Sequence, residues 1–244
     1  MDNLISQGKI GNMACGPCAI AHALKKDSAE VKDIILDLLQ TQSEKYKEKE
    51  HGGKRMMYSA QDGMVIDDIQ MYLAKKYSLT FNLCFLNKND EEKSNAFVHR
   101  IHKILRETTL SEYKSIVEIR SFVVKPCVNA DESWDYKWYS TLGHFNVIYE
   151  VPETLEEGAL GFQYKFIDSL TGKIEHGYLY HEKYRDYHAT RDFTVDVLGE
   201  EHWQWLTKFP YLVPITPNIH LNTETLPYQA RTITVLKSIL ICKN

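Results

Sequence analysis

Apolar residues recur at helical spacing through the first half of the chain and at alternating spacing through the second. That division predicts an α+β fold. Ala19, Ile20, Ala23 and Leu24 mark the buried face of a first helix, and Val31, Ile34, Ile35, Leu38 and Leu39 mark a second over Ala29–Leu39. Further helices are expected over Val65–Lys76 and over Asn95–Thr108, where Phe97, Ile101, Ile104 and Leu105 share one face. A short strand is expected around Leu79–Leu86, with Gln40–Lys54 and Asn87–Lys93 as charged connections. Beyond these the period falls to two. Ser115–Val124, a strand starting at His144 after a turn at Gly143, Phe162–Asp168, Ile174–Tyr180 and Thr232–Ile241 read as strands of an antiparallel sheet. Trp134, Tyr136, Trp138 and Tyr139 crowd the segment just before His144, as packing for a loop or the wall of a cleft. The expected organisation is one domain over residues 1–244, with a helical half to roughly residue 110 and a sheet half after it.

Composition changes this picture little. The chain has 244 residues, 43% of them hydrophobic, and a formal net charge of −4, which gives no basis for nucleic-acid affinity. Five cysteines is an odd number, and Cys84, Cys127 and Cys242 are scattered, which suits reduced thiols in a cytoplasmic setting or a host cytosol. Neither a signal-peptide pattern nor an apolar run long enough to cross a membrane is evident, so membrane insertion is not expected.

The chemistry concentrates in Asn12-Met13-Ala14-Cys15-Gly16-Pro17-Cys18. Gly16 and Pro17 suit the first turn of a helix, which puts Cys15 at its N-terminus, in the positive end of the helix dipole. A thiol so placed is a nucleophile candidate. The same Cys-Gly-Pro-Cys could serve a thioredoxin-like redox loop through Cys15 and Cys18. That chemistry needs a strand leading into the motif, whereas the residues before Cys15 are turn-like. A zinc site on Cys15 and Cys18 lacks a second Cys-x-x-Cys, and His99 and His102, in a charged helix, read as solvated rather than as ligands. No metal or other cofactor is expected.

A thiol nucleophile needs an imidazole to take its proton and a third group to fix that imidazole. His144 at its strand start and Asp168 at the end of the next strand fit those roles, in the order Cys, His, Asp. His176 and His181 are the nearest rivals for the base.

Three islands, Cys15-Gly16-Pro17, His144-Phe145 and Asp168-Ser169-Leu170-Thr171-Gly172, together with Gly63 before the helix through Leu73, resemble the papain-like cysteine peptidase superfamily. Within it they most resemble the branch containing the bacteriocin-leader (double-glycine) peptidases. The resemblance implies a papain-like fold, with the nucleophile helix packed on a C-terminal antiparallel sheet. It also implies a Cys15–His144–Asp168 triad and a glutamine about six residues before the cysteine, completing an oxyanion hole. This chain departs there: Gln7 stands eight residues ahead of Cys15 and Asn12 three ahead, and either amide can donate.

The expected activity is acyl transfer, as a thiol peptidase or amidase on a peptide or protein substrate. A glutamine deamidase or transglutaminase-like acyltransferase would use the same triad. A binding module without catalysis, or a redox protein using Cys15 and Cys18, stands as the reading from another class.

Overall fold

The computed structural model of the chain describes residues 4–11, 13–44, 55–89, 91–110, 113–128, 130–132, 134–181, 193–197, 200–204, 210–214 and 231–242, with side chains outside 122–127, 134–142, 193–204, 211–214 and 231–233. Among these residues the elements run, after a 3-10 turn at Gln7–Lys9, as α1 (Cys15–Ala23), α2 (Ser28–Gln40), α3 (Ile66–Tyr77), β1 (Phe81–Phe85), α4 (Ser94–Thr109), β2 (Ile116–Val128), β3 (Trp134–Glu150), β4 (Gly161–Asp168), β5 (Lys173–Tyr180), β6 (Phe193–Val197), β7 (Glu200–Gln204), β8 (Tyr211–Pro214) and β9 (Arg231–Cys242). The fold is α+β, with the helices ahead of a largely antiparallel sheet.

Six strands pair in a closed ring, β2–β3–β4–β5–β8–β9 and back to β2, every neighbour antiparallel. β1 adds to β9 outside the ring, while β6 lies parallel to β3 and carries β7. Adjacent residues on a strand divide between two cores, as side chains alternating across a sheet must. Ile116, Val147, Ile167 and Leu240 join α1, α2 and α3, whereas Val117, Ile148, Phe166 and Ile239 join α4.

Local chemistry explains the helices. α2 starts on Asp27, whose carboxylate accepts the Ala29 and Glu30 N–H groups at 2.9 and 3.0 Å while Glu30 reaches back to the Asp27 N–H at 3.0 Å. This reciprocal capping box satisfies donors that the helix itself leaves orphaned. α4 buries Phe97, Val98, Ile101 and Leu105 on one face. His102 belongs to that face as well. It is buried, its Nε2 lies 2.7 Å from the Pro152 carbonyl, and its ring meets Phe162 edge-on. The expected solvated histidine is thus a core residue, because its position on the apolar face outweighs its charged neighbours in sequence.

The expected turn at Gly143 is also corrected. β3 runs unbroken from Trp134 through His144, and Gly143 pairs with Arg120. A Cβ at Gly143 would sit 3.5 Å from the Arg120 guanidinium carbon, an ordinary van der Waals contact. The aromatic segment before His144 is therefore strand, not loop, and its side chains lie outside those described. β9 pairs with β2 only as far as Val124, so among the described residues no strand lies beside Pro126 on that side to need its N–H.

Asp27→Ala should lower unfolding free energy by about 1 kcal/mol through loss of the α2 cap. Phe97→Ala, which empties a fully buried ring position, should cost about 3–5 kcal/mol. Urea denaturation of both variants checks the ranking; equal losses would mean that α4 is not a principal core element.

Candidate active site

Cys15 is the first residue of α1, reached through the 3-10 turn rather than from a strand. Two turn bonds, Gly11 N–H to the Gln7 carbonyl at 2.8 Å and Ala14 N–H to the Gly11 carbonyl at 3.1 Å, fold the preceding segment back on itself. Unlike α2, this helix has no side-chain cap: Ala14 stands at the N-cap and cannot accept. The Cys15 and Gly16 N–H groups belong to the orphaned first turn, and Pro17 has none. Gly16 lies under Met64; a Cβ there would meet the Met64 sulfur at 2.9 Å, so a larger residue would have to push the Met64 side chain aside. Met64 follows Gly63, whose φ of 72° is the left-handed turn that folds this segment against Met13.

His144 lies on β3 and Asp168 ends β4. Asn146 is directly opposite Asp168 in the strand pairing, so His144, two residues earlier, is the diagonal neighbour on the same face. The His144 Nε2–H donates to Asp168 Oδ1 at 2.8 Å. This leaves Nδ1 free of Asp168, and Cys15 lies near enough to the ring to help raise its pKa. All three groups are nearly closed off: Cys15 is 8% exposed, His144 5% and Asp168 1%.

A buried carboxylate survives as an anion only when donors replace water. Asp168 Oδ1 also accepts the Leu170 N–H at 3.0 Å, and Oδ2 accepts the Thr171 hydroxyl at 3.3 Å. Asn146, with its amide nitrogen turned inward, donates to Oδ1 at 3.2 Å and to the Phe145 carbonyl at 3.0 Å. Burial alone would raise the Asp168 pKa, but the His144 bond and charge, with Leu170 and Thr171, hold it below the ordinary carboxylate range. For His144, burial works against the cation. The hydrogen bonds and charges of Asp168 and Cys15 overcome it and lift the imidazole to about 9. Cys18 differs: it is fully buried, and burial with the nearby Cys15 pushes its thiol up to about 12.

Gln7 is buried beside this assembly, its backbone N–H bonded to the Ser169 carbonyl at 2.8 Å. Asn12 lies outside the described residues. His176 is exposed on β5 and His181 meets Phe97 edge-on, so neither joins the group. His99 is half-buried, its Nε2 2.9 Å from the Glu156 carbonyl. Among the described residues no cluster of three His, Cys, Asp or Glu side chains has a metal-binding arrangement. No described helix is long and apolar enough to cross a membrane.

Sequence reasoning missed Asn146 and His22. Asn146 was signalled by strand alternation, since it follows His144 by two. His22 follows Cys15 by seven residues, two helical turns, and shares its face of α1. It too is buried, and its Nε2 accepts the Ile5 N–H at 2.9 Å.

The linkage of the pair has two opposite signs. The raised His144 value contributes stability that is complete below about 6.5 and is lost as pH rises through about 9. The depressed Asp168 value contributes stability that is lost as pH falls through the carboxylate range. By NMR the His144 ring should titrate near 9, and in Asp168→Asn by at least ~1 unit lower. An unmoved titration would mean that Asp168 does not hold the proton on His144.

Compared with family models, curated proteins and solved structures, the chain matches none, so no relative supplies a role for these side chains.

Proposed function

We propose that the protein is a cysteine-dependent acyl-transfer enzyme, a peptidase or amidase acting on a peptide or protein substrate with a papain-like arrangement of helix and sheet. The observation that carries this reading is the buried His144–Asp168 hydrogen bond with Cys15, at the start of α1, close enough to the same ring to raise its pKa. A packing cysteine needs no imidazole, and a structural ion pair needs no thiol at a bare helix start.

The steps follow from the geometry. The Cys15 thiol gives its proton to His144 Nδ1, and the sulfur attacks the substrate carbonyl. Charge developing on the carbonyl oxygen meets the uncapped first turn of α1, where the Cys15 N–H is a donor aimed along the positive end of the helix. A second donor from the segment before Cys15, where Gln7 is held, would complete that site. The imidazolium then passes its proton to the departing amine, leaving an acyl thioester. His144 draws a proton from water, hydroxide adds to the thioester, and collapse returns the thiol. Asp168 accepts the Nε2–H throughout, fixing the tautomer and stabilising the imidazolium.

If an amine enters in place of water the product is a transferred acyl group, and if the substrate is a glutamine side chain it is deamidation. The triad is common to all three. A redox role for Cys15 and Cys18 is less well supported: α1 is approached from a 3-10 turn, and among the described residues no strand precedes it.

Cys15→Ala should abolish turnover and leave the fold intact, as judged by incubating a cell lysate with each form and sequencing new N-termini by mass spectrometry. Cleavages shared by wild type and variant would remove Cys15 from catalysis. Asp168→Asn should lower turnover by roughly 10²–10⁴ at matched thermal stability; near wild-type rates would leave a dyad. Cys18→Ser should instead cost stability, because it sets a hydroxyl in an apolar, fully buried position.

A further inference from the structure

The N-terminal segment is stitched to the Asp168 turn along its length. The Gln7 N–H bonds the Ser169 carbonyl at 2.8 Å, and the Leu170 carbonyl accepts the Ser6 hydroxyl at 2.9 Å and the Gly8 N–H at 3.5 Å. Gly172, at φ 64°, lets the two backbones touch: a Cβ there would lie 2.6 Å from the Ile5 carbonyl carbon. On the other side of the segment, the Ile5 N–H bonds the His22 side chain at Nε2 at 2.9 Å. Ile5 and His22 are both buried. Only a neutral imidazole with its proton on Nδ1 can accept at Nε2.

We propose that His22 is a positioning residue for acyl transfer: by accepting the Ile5 N–H it sets the Ile5–Gly8 segment, and with it Gln7, between α1 and the Asp168 turn. The inference rests on Cys15 being the nucleophile. His22 touches no reacting atom; it acts through the backbone it holds. Asp168 is the charged group acting on it and favours its protonation, while burial disfavours it more and holds the ring down at about 4. The ring is thus an acceptor at neutral pH. Because this value is depressed, the clamp is complete above about 6.5 and is lost as pH falls through about 4.

Two small probes separate this role from a structural one. Iodoacetamide alkylates a thiolate by displacement of iodide and builds no oxyanion. p-Nitrophenyl acetate acetylates it through a tetrahedral oxyanion, giving the acetyl thioester and p-nitrophenolate. Rates at Cys15 should be measured with both on wild type, His22→Phe and His22→Gln, alongside hydrogen exchange at the Ile5 amide. His22→Phe should lose the Ile5 protection and acetylate about 10–100-fold more slowly, short of the roughly 10²–10³ for outright removal of one oxyanion donor, with alkylation within about twofold of wild type. His22→Gln, whose carbonyl oxygen can accept the Ile5 N–H, should recover most of the acetylation rate. Gly172→Ala, which pushes on the same segment from the opposite side, should give the same split if His22→Phe does not fold.

Parallel loss of both rates, or acetylation unchanged in His22→Phe, would overturn the positioning role. So would failure of His22→Gln to recover at matched stability. If wild-type Cys15 reacts no faster than the other thiols with either probe, it is the acyl-transfer reading itself that fails.

Discussion

The buried Asp168 carboxylate is the constraint around which the rest of the site is arranged. Removing a carboxylate from water costs several kcal/mol unless hydrogen bonds are supplied in exchange. Here the donors come from three places: the His144 ring on the neighbouring strand, the Asn146 amide directly opposite, and the N–H and hydroxyl of its own turn at Leu170 and Thr171. The turn is closed by the Gly172 N–H on the Asp168 carbonyl at 2.8 Å. Its remaining carbonyls, Ser169 and Leu170, point at the N-terminal segment and bind it. Satisfying one anion therefore fixes a strand pair, a turn and the segment leading to Cys15.

The two ends of this arrangement show opposite treatment of helix starts. α2, on the surface, is capped twice over by Asp27 and Glu30. α1, with every residue buried, has an alanine at its N-cap and no side-chain acceptor. A capping carboxylate at position 14 would satisfy the first turn but would place a negative charge against the thiol, opposing its ionisation and occupying the donors. Leaving the turn bare costs about 1 kcal/mol of helix stability. The packing of α1 against α2, α3 and the sheet carries the helix in its place. Local instability at Cys15 is consistent with a site kept ready for an anion.

Much of this was legible in the chain. The helices followed from apolar spacing, and their observed bounds differ from the expected ones by about a residue at either end. Cys15 and Asp168 could be singled out because each stands where an element begins or ends, and His144 because the pattern puts it at a strand start, although it lies in the middle of β3. What the sequence left hidden depended on partners distant in the chain. Gly143 looked like a turn because a glycine ends many strands; only the pairing with Arg120 shows it in mid-strand. His102 looked solvated because its sequence neighbours are charged, and its burial depends on Pro152 and Phe162, some fifty residues or more away. The closing of the ring through β8 and β9 rests on a two-residue contact that no local pattern announces.

The two imidazoles near Asp168 show how finely that carboxylate discriminates. Burial lowers the pKa of both, and the charge of Asp168 raises both. His144 nevertheless ends at about 9 and His22 at about 4. Proximity to the anion cannot be the deciding factor, since both feel it. The difference is the direct hydrogen bond: His144 gives its Nε2–H to Asp168 at 2.8 Å and has the thiol as a second partner, whereas His22 uses its Nε2 to accept from Ile5 at 2.9 Å. An imidazole that donates to an anion is stabilised as the cation, whereas His22, which makes no such bond to Asp168, is held neutral by burial. A single buried carboxylate thus acts on one histidine that its direct hydrogen bond keeps protonated and on another that burial keeps neutral.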